Sequence, residues 1–291
     1  KIRKGVKAGM AAATESNVLT DNRVVSMIEK FKASGKYKLM QEGERYYQAD
    51  NDIKNRKITR KVDGHKEEET WRANNKLAHA KYKIQVDEKI AYLLTKPVTY
   101  KTDGTDKNDT YVEKVKDVLG KHFQYQLTQL GYEASNKGIG WLHVYLDPEG
   151  ELKTIVIPAE QCIPYWSDRS HTELDAMIRV YNTTVWQYNQ EKEITNVEIW
   201  TKDGVKYYRL EGQMLVYDND KSMDAGGPVA HYKSVEEWKT WGKVPFIPFK
   251  NNQIEMPDVK FVKSLIDGYD LGRSEAANYM DEVKNLIFVL K

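Results

Sequence analysis

Apolar residues recur every three or four positions through the first half of the chain, which is the spacing of one face of an α-helix. This pattern predicts helices over residues 21–32, 36–48, 75–94 and 111–134, the last of them interrupted at Gly120. Between the second and third helices, basic and then acidic residues flank Asp63-Gly64, which predicts an exposed hairpin. The first half of the chain is therefore expected to be largely helical.

After Gly140 the period of the pattern changes to two, which is the period of a β-strand. Further strands are predicted at about 151–157, 176–182, 195–201, 205–210 and 213–217. The links between them are short, which indicates an antiparallel order. We expect one sheet over residues 139–217, packed against the helices of 75–134, with Trp141 and Leu142 on opposite faces. Helices and strands that segregate in this way predict an α+β fold.

A proline-rich segment, residues 241–256, follows the strands. Pro245 and Pro248 disfavour both a helix interior and a central strand, so together with Trp241 they predict a rigid, extended connector. A long helix is predicted from Pro257 to about residue 284, because Pro257 suits a first helical turn. About 28 residues at a rise of 1.5 Å correspond to roughly 42 Å of helix.

The long helix has an apolar side, a polar side and a ridge of small residues. The predicted packing residues are Val262, Leu265, Ile266, Tyr269 and Met280, together with the ridge of Gly268, Gly272 and Ala276. The predicted polar side carries Lys260, Ser264, Asp267, Glu275, Asn278 and Glu282. Glycine in a helix interior costs about 1 kcal/mol relative to alanine. The ridge therefore indicates either a tolerated kink or the close approach of a neighbouring helix.

Composition limits the classes of function. The chain has 291 residues, of which 40% are hydrophobic and 30% charged, and its formal net charge is only +2, so no global field attracts nucleic acid. Its single cysteine, Cys162, excludes an internal disulfide framework and a cysteine-based zinc site. Phosphate-binding loops, nucleophile elbows and paired metal-binding histidines are missing from the sequence. We therefore predict no catalytic residues, no metal and no cofactor, which favours a structural or binding protein.

Several segments together resemble the portal proteins of tailed bacteriophages, in particular those of siphoviruses that infect Gram-positive hosts. The segments are RYYQADNDIKNRKI (45–58), NNKLAHAKYKIQVDEKIAYLLTKPVTY (74–100), SNKGIGWLHVYLDPEGEL (135–152), IPAEQCIPYW (157–166), WGKVPFIPFKNN (241–252) and DVKFVKSLIDGYD (258–270). They occur in the family's order over nearly the whole chain. One departure is Thr95, where the family commonly has glycine.

The resemblance implies a dodecameric ring at one capsid vertex, with double-stranded DNA passing through its channel without sequence readout. It implies a wing domain up to residue 240, followed after the connector at 241–256 by a stem helix at 257–285 and the start of a clip at 286–291. Residues 1–20, which begin with several basic residues, are expected to be a flexible arm, so that the wing starts at residue 21. The polar side of the long helix is then the candidate channel-facing surface. Both ends of the chain look cut, and we expect a fragment that lacks the rest of the clip, the second stem helix, the tunnel loop and the crown.

The family's partners include the terminase large subunit, a head-tail adaptor, scaffold proteins and major capsid proteins, and its place is the virion, after assembly in the host cytoplasm. No membrane partner is expected. Two other classes of function remain open from the residues alone. One is another phage capsid or tail structural protein, and the other is a carbohydrate-binding or hydrolytic module that uses the many aromatic side chains.

Overall fold

The computed structural model describes residues 19–101, 110–187, 190–221, 227–234 and 237–287. Its helices within these ranges are α1 (Asp21–Ala33), α2 (Gly35–Tyr47), α3 (Lys81–Leu94), α4 (Thr110–Leu119), α5 (Phe123–Lys137) and α6 (Val259–Ile287). Its strands are β1 (Thr59–Val62), β2 (His65–Glu68), β3 (Ile139–Leu146), β4 (Leu152–Ile157), β5 (Cys162–Trp166), β6 (Leu174–Gln187), β7 (Gln190–Thr201), β8 (Gly204–Glu211), β9 (Met214–Tyr217), β10 (Tyr232–Ser234), β11 (Glu237–Lys239) and β12 (Phe246–Lys250). The fold class is α+β, as predicted.

The chain divides into two compact units whose segments alternate along the sequence. The first unit comprises Lys1–Ser34, Tyr145–Gly150 and Gln161–Phe246, and the second comprises Gly35–Val144, Glu151–Glu160 and Ile247–Lys291. These units do not follow the predicted wing, connector and stem in chain order, and those boundaries stay predictions. Residues 1–18 of the predicted arm and 288–291 of the predicted clip lie outside the described residues.

The first unit is a five-stranded antiparallel meander covered by one helix. The strand order is β5-β6-β7-β8-β9, so each strand pairs with its neighbour in sequence. Helix α1 presents Val24 and Ile28 to this sheet, where they join Ile178, Val197 and Tyr208 in an apolar core. The helix predicted from the amphipathic pattern of residues 21–32 is therefore confirmed, and its apolar face is buried against the sheet.

The second unit contains the other helices and a three-stranded sheet. Its apolar core joins Tyr46 of α2, Tyr82, Val86 and Ile90 of α3, and Ile266 of α6. Helices α2 and α5 approach very closely at a single glycine. A Cβ atom placed on Gly43 would lie 1.9 Å from the carbonyl oxygen of Asn136, so only glycine fits at this crossing.

The prediction of one sheet over residues 139–217 was wrong. Strands β3 and β4 form a separate sheet with β12, in the order β12-β3-β4, and the meander begins only at β5. Along the sequence, a short 3-10 turn, Ala159–Gln161, follows Pro158 and separates β4 from β5. Trp141 and Leu142 of β3 are both buried, because both faces of that strand are covered.

The predicted connector contributes an edge strand. Residues Phe246–Lys250 form β12, which lies at the edge of its sheet. Pro248 lies within this strand, and an edge is where a sheet accepts a residue without an N–H group. Trp241 packs its ring against Tyr232 at a centroid distance of 4.6 Å. The prolines correctly indicated that this segment is not a central strand, but no signal in the sequence indicated its pairing with β3.

The remaining helices and the hairpin fit the sequence with two differences. The hairpin is confirmed as β1 and β2, which pair in an antiparallel register that joins Val62 to His65 across Asp63-Gly64. The break predicted at Gly120 separates α4 from α5. Helix α3, however, begins at Lys81 and not at residue 75, and α6 begins at Val259 and not at Pro257 and continues to Ile287, beyond the predicted end at 285.

Candidate functional site on the long helix

Helix α6 is the longest element of the described chain. Its 29 residues correspond to about 43 Å at 1.5 Å per residue. The N-terminal half of its inner side is apolar, because Val259 and Ile266 are buried in the core of the second unit and Val262 packs against them. The C-terminal half of the same side is polar.

Three polar side chains of α6, which we call the acceptor row, are buried one turn apart. Asp270, Ser274 and Asn278 are 0%, 0% and 4% exposed. A non-helical segment, residues 73–79, lies against them, and we call it the strap. Side chains spaced by four residues share one face of a helix, so the acceptor row presents its oxygens in a single line.

The strap binds the acceptor row through alternate backbone amides. The N–H of Asn75 donates to Asn278 Oδ1 at 2.6 Å, that of Leu77 to Ser274 Oγ at 3.0 Å, and that of His79 to Asp270 Oδ1 at 3.1 Å. Alternate residues of an extended chain are about 6.6 Å apart, and residues four apart on a helix rise by about 6.0 Å. The two spacings match, so strap and helix run antiparallel in a defined register.

This register explains why α3 starts late. Residues 75–79 have the helical pattern of the sequence, but their amides are bound to buried side chains of α6. Buried polar groups are costly to leave unpaired, and Asp270 additionally accepts hydrogen bonds from Asn51 Nδ2 at 2.5 Å and pairs with His79 Nδ1 at 2.9 Å. The tertiary contact therefore overrides the local preference for helix.

Ion pairs flank the strap contact on both sides. Lys263 Nζ lies 2.5 Å from Asp52 Oδ2 and 2.6 Å from Asp267 Oδ2, and Arg45 Nη2 lies 2.6 Å from Asp52 Oδ1. Nearer the C-terminus, Arg56 pairs with Glu275 and Arg72 with Glu282. Basic and acidic residues upstream of α3 thus bind α6 within the same unit.

The charges of this network shift the titration of its members. Burial raises the pKa of Tyr46 to about 12, and its hydrogen bond to Asp267 acts in the same direction. Burial opposes the charge of Lys263, but hydrogen bonds to Asp267 and Asp52 raise the pKa of Lys263 above its usual value. Burial likewise opposes the charge of Asp52, whose pKa is nevertheless lowered by Lys263 and Arg45. The pKa shifts of Lys263 and Asp52 therefore favour their charged forms near neutral pH, and that of Tyr46 favours its neutral form.

The opposite side of α6, which we call the outer face, is exposed and largely apolar. It carries Phe261, Leu265, Gly268, Gly272, Ala276, Tyr279 and Met280. Leu265 is 73% exposed and Tyr279 is 68% exposed, which is unusual for such large apolar side chains on one helix face. A Cβ atom placed on Gly268 or Gly272 would meet nothing within 4 Å. The outer face is a strip about five turns long that the described part of the subunit leaves uncovered.

The structure buries only some of the predicted packing residues. Ile266 and Val262 pack inside the second unit, whereas Leu265, Tyr269 and Met280 are exposed together with the small-residue ridge. The predicted apolar stripe is therefore only partly covered by the described part of the second unit, at its edge that carries Ile266. Phe261 and Tyr279 were missed, although they lie 18 residues apart, which is five helical turns and hence the same face.

The predicted channel-facing residues also separate. Asn278 is buried in the acceptor row, so it is not available to line a channel, and this part of the prediction is corrected. Asp267 and Glu282 form ion pairs within their own unit. Lys260, Ser264 and Glu275 are exposed, and Glu275 pairs with Arg56. The acceptor row itself was not recognised, although its spacing of four residues was visible in the sequence.

The joint before α6 is tightly built. A Cβ atom on Gly138 would lie 2.3 Å from the carbonyl oxygen of Glu255, so the two backbones touch. The buried Glu255 carboxylate pairs with Lys36 Nζ at 2.6 Å and with Lys250 Nζ at 3.2 Å. The backbone of Glu255 has φ of 53°, a left-handed conformation that a non-glycine residue keeps only where its surroundings fix it. The start of α6 is thereby held in one position.

Neither a metal centre nor a membrane helix marks the described ranges. Groups of three or more His, Cys, Asp or Glu side chains that could hold a metal ion do not occur there. None of the helices in the part of the chain that the structure describes combines the length and apolarity of a membrane crossing. Within these ranges, the outer face of α6 has the exposed large apolar side chains that a partner would be expected to cover.

Comparisons with known proteins point in one direction. A family model described as phage portal protein, SPP1 Gp6-like, matches residues 32–291. A portal protein of Bacillus phage SPP1 is 32% identical over 268 residues, which cover 91% of this chain and 51% of that protein. A portal protein of Clostridium phage phiCD119 is 31% identical over 256 residues, which cover 84% and 53%. The chain spans about half the length of the curated relatives it matches.

Proposed function

Because this chain belongs to the family of SPP1 Gp6-like phage portal proteins, we propose that it is part of a subunit of the portal ring at one capsid vertex of a virion. Double-stranded DNA would pass through this ring during packaging and ejection. The observation that carries the proposal is the match over residues 32–291, joined to an outer face on α6 that the described part of its own subunit leaves uncovered.

The outer face is suited to contact with a neighbouring copy of the chain. Large apolar residues at Phe261, Leu265 and Tyr279 supply buried area, and the glycines between them let another helix approach closely. In a closed ring one patch of each subunit meets a different patch of the next, so every copy must present α6 at the same angle. The rigid joint at Gly138 and Glu255 supports this requirement.

The channel-facing role is now proposed for a smaller set of residues. Lys260, Ser264 and Glu275 are exposed beside the outer face and contribute one basic and one acidic group. A wall without excess positive charge would release few counterions from DNA and bind it weakly, which permits sliding. Base readout is not expected from this helix. The proposal includes no catalytic step, and it leaves ATP hydrolysis to the terminase large subunit, which would be a partner alongside the head-tail adaptor, scaffold and major capsid proteins.

The test replaces one glycine of the outer face in the full-length protein. Gly272→Leu places a large side chain in the gap between apolar residues, and we expect ring formation to fail, as measured by native mass spectrometry and negative-stain imaging. Leucine has a better helix propensity than glycine by about 1 kcal/mol, so the subunit itself should be at least as stable. Loss of the ring cannot then be attributed to unfolding.

Gly35→Leu is the matched control. Gly35 is an exposed helical glycine at the start of α2, and a Cβ atom there also meets nothing within 4 Å. Rings should form normally in this variant. Equal ring yields from Gly272→Leu and the control would show that the outer face is not the contact between copies.

A further inference from the structure

Helix α3 begins without any of the signals that normally start a helix. Its N-cap residue is Ala80, which has φ of −76° and ψ of 40° and provides no side-chain hydrogen bond. Alanine is among the poorest N-cap residues, whereas asparagine is among the best. The start of α3 at Lys81 is therefore not encoded locally.

A better start lies upstream, at Asn75. The residues that follow it are Lys76, Leu77, Ala78, His79 and Ala80, and most of them are strong helix formers. A helix capped by Asn75 would be five residues longer than α3, or about 7.5 Å. The local sequence thus favours one conformation and the structure contains another.

The same amides have a partner in each conformation. In the structure, Leu77 N–H donates to Ser274 Oγ and His79 N–H donates to Asp270 Oδ1. In the longer helix, the side chain of Asn75 would accept from N2 or N3, positions 77 and 78, and the carbonyl of Asn75 would accept from His79. These pairings exclude each other, because each amide has one hydrogen. Binding of the strap to α6 and extension of α3 are therefore competing states.

We propose that residues 75–80 are a two-state element, which either binds α6 as the strap or continues α3 as helix. A two-state element couples two parts of a protein when each part biases its equilibrium. Here a shift of α6 that removes the acceptor row from the strap amides lengthens α3, and a longer α3 releases α6. The element is a property of one folded subunit and does not depend on the proposed ring.

The strap conformation seen in the structure is favoured over the longer helix because α6 presents three buried acceptors in register with the strap amides. Asn75 adds side-chain hydrogen bonds from Nδ2 to Asn278 Oδ1 at 3.0 Å and to Asp281 Oδ2 at 2.9 Å. Asp270 would lose both contacts from His79 if the strap left and would keep the hydrogen bond from Asn51, and a buried carboxylate with too few partners is costly. Weakening the acceptor row should therefore shift the population towards helix and not merely loosen the strap.

The experiment reads the conformation of Ala78 in the whole chain. With alanine labelled at 13Cα, the chemical shift of Ala78 distinguishes helix from extended backbone. The double variant Ser274→Ala with Asn278→Ala removes two acceptors, and we expect the Ala78 signal to move towards the helical value. Ser264→Ala, an exposed serine on the same helix, is the matched control and should leave the signal unchanged.

A third substitution separates helix extension from other changes. Ala80→Pro suits the observed φ of −76°, but inside a longer helix it removes the N–H of position 80 and obstructs the chain. Added to the double variant, it should return the Ala78 signal to its wild-type, non-helical position. A helical shift that persists in this triple variant would overturn the proposal, as would an Ala78 signal in the double variant that never becomes helical.

A milder variant covers the case in which the double variant does not fold. Asn75→Asp leaves α6 and the apolar core untouched, supplies an equally good N-cap, and replaces the amide donor near Asp281 with a repelling charge. The Ala78 signal should move in the helical direction, and Asn75→Ala should not produce this movement. Identical signals from the two variants at position 75 would also overturn the proposal.

Discussion

Helices α1 and α6 are both held against the rest of their own unit, but by different interactions. Helix α1 buries Val24 and Ile28 among apolar side chains of the meander, and its hydrogen bonds to the sheet, among them that from Tyr208 Oη to Asp21 Oδ1 at 3.2 Å, are exposed or only partly buried. Helix α6 begins with a similar apolar contact but continues with the acceptor row. Apolar contacts are non-directional and tolerate small shifts. Directed hydrogen bonds at matched spacing are broken by small shifts, so in the observed state they define the position of α6 along its axis and about it.

The largest loss of folding stability is expected when the buried carboxylate of Asp270 on α6 is removed. Asp270→Ala deletes a fully buried carboxylate and leaves the donors of His79 and Asn51 without their acceptor. A buried donor that is left unpaired costs about 1–3 kcal/mol, and this variant leaves donors of two residues unpaired. Urea denaturation should show this loss in the free energy of unfolding, whereas Asp281→Ala, an exposed carboxylate on the same helix, should change it by less than about 1 kcal/mol. Equal losses in the two variants would mean that the buried contacts of Asp270 do not stabilise the fold more than an exposed carboxylate does.

A sharper comparison removes a single heavy atom from each region. Ser274→Ala removes the hydroxyl oxygen that accepts from Leu77, and Ile178→Val removes one carbon from the core beneath α1, both at positions that are 0% exposed. An orphaned buried donor costs about 1–3 kcal/mol, and Ile→Val about 0.5–1.5 kcal/mol. The serine variant should also lose amide-exchange protection at Leu77. Protection that stays at the wild-type level would argue against the hydrogen bond as the holding contact.

The smallest expected change in stability is the one that follows protonation of Asp52 at low pH. The pKa of Asp52 is lowered from 3.8, because the favourable pairing with Lys263 and Arg45 outweighs the opposing effect of burial. A depressed folded-state pKa contributes stability that is present above the unfolded value and is lost as pH falls through the folded one. Asp52 is half-exposed, so we expect less than about 1 kcal/mol.

This acid effect is measurable as a difference between variants. The urea midpoint of the wild type should drop more between about pH 5 and pH 2 than that of Asp52→Asn, because only the wild type loses the paired charge at α6. Asp50→Asn changes a neighbouring exposed carboxylate and should keep the wild-type dependence. A steeper pH dependence in Asp52→Asn than in the wild type would show that ionised Asp52 does not stabilise the folded state.

The comparison of α1 with α6 also shows what the sequence could predict. The apolar spacing of Val24 and Ile28 predicted both the helix and its buried face, because burial of apolar area follows the period of the chain. For α6 the same reasoning predicted the helix and most of its length. It failed for the orientation, because Asp270, Ser274 and Asn278 were assigned no buried role, and the partners of Asp270 and Ser274 lie about 190–200 residues away in sequence.

Two other misreadings have the same physical cause. Residues 75–80 have a helical pattern, and only their contact with α6 makes them a strap. Strand β12 was expected as an unpaired connector, because no local signal shows that β3 has a free edge. Local spacing reports propensity and amphipathicity, while the choice among locally acceptable states is made by distant partners. The candidate site consists largely of such choices, so it was less predictable than the helices themselves.

The register between strap and acceptor row limits how α6 can change in length. Inserting or deleting one residue between Asp270 and Asn278 would rotate the remainder of the helix by about 100° and move Asn278 away from Asn75. Length changes of the helix are therefore expected to be tolerated after Glu282, because Asp281 and Glu282 still contact Asn75 and Arg72, and not within the acceptor row or directly after it. For the design of a longer or shorter version of this helix, Glu282 marks the position after which residues can be added without disturbing these contacts within the subunit.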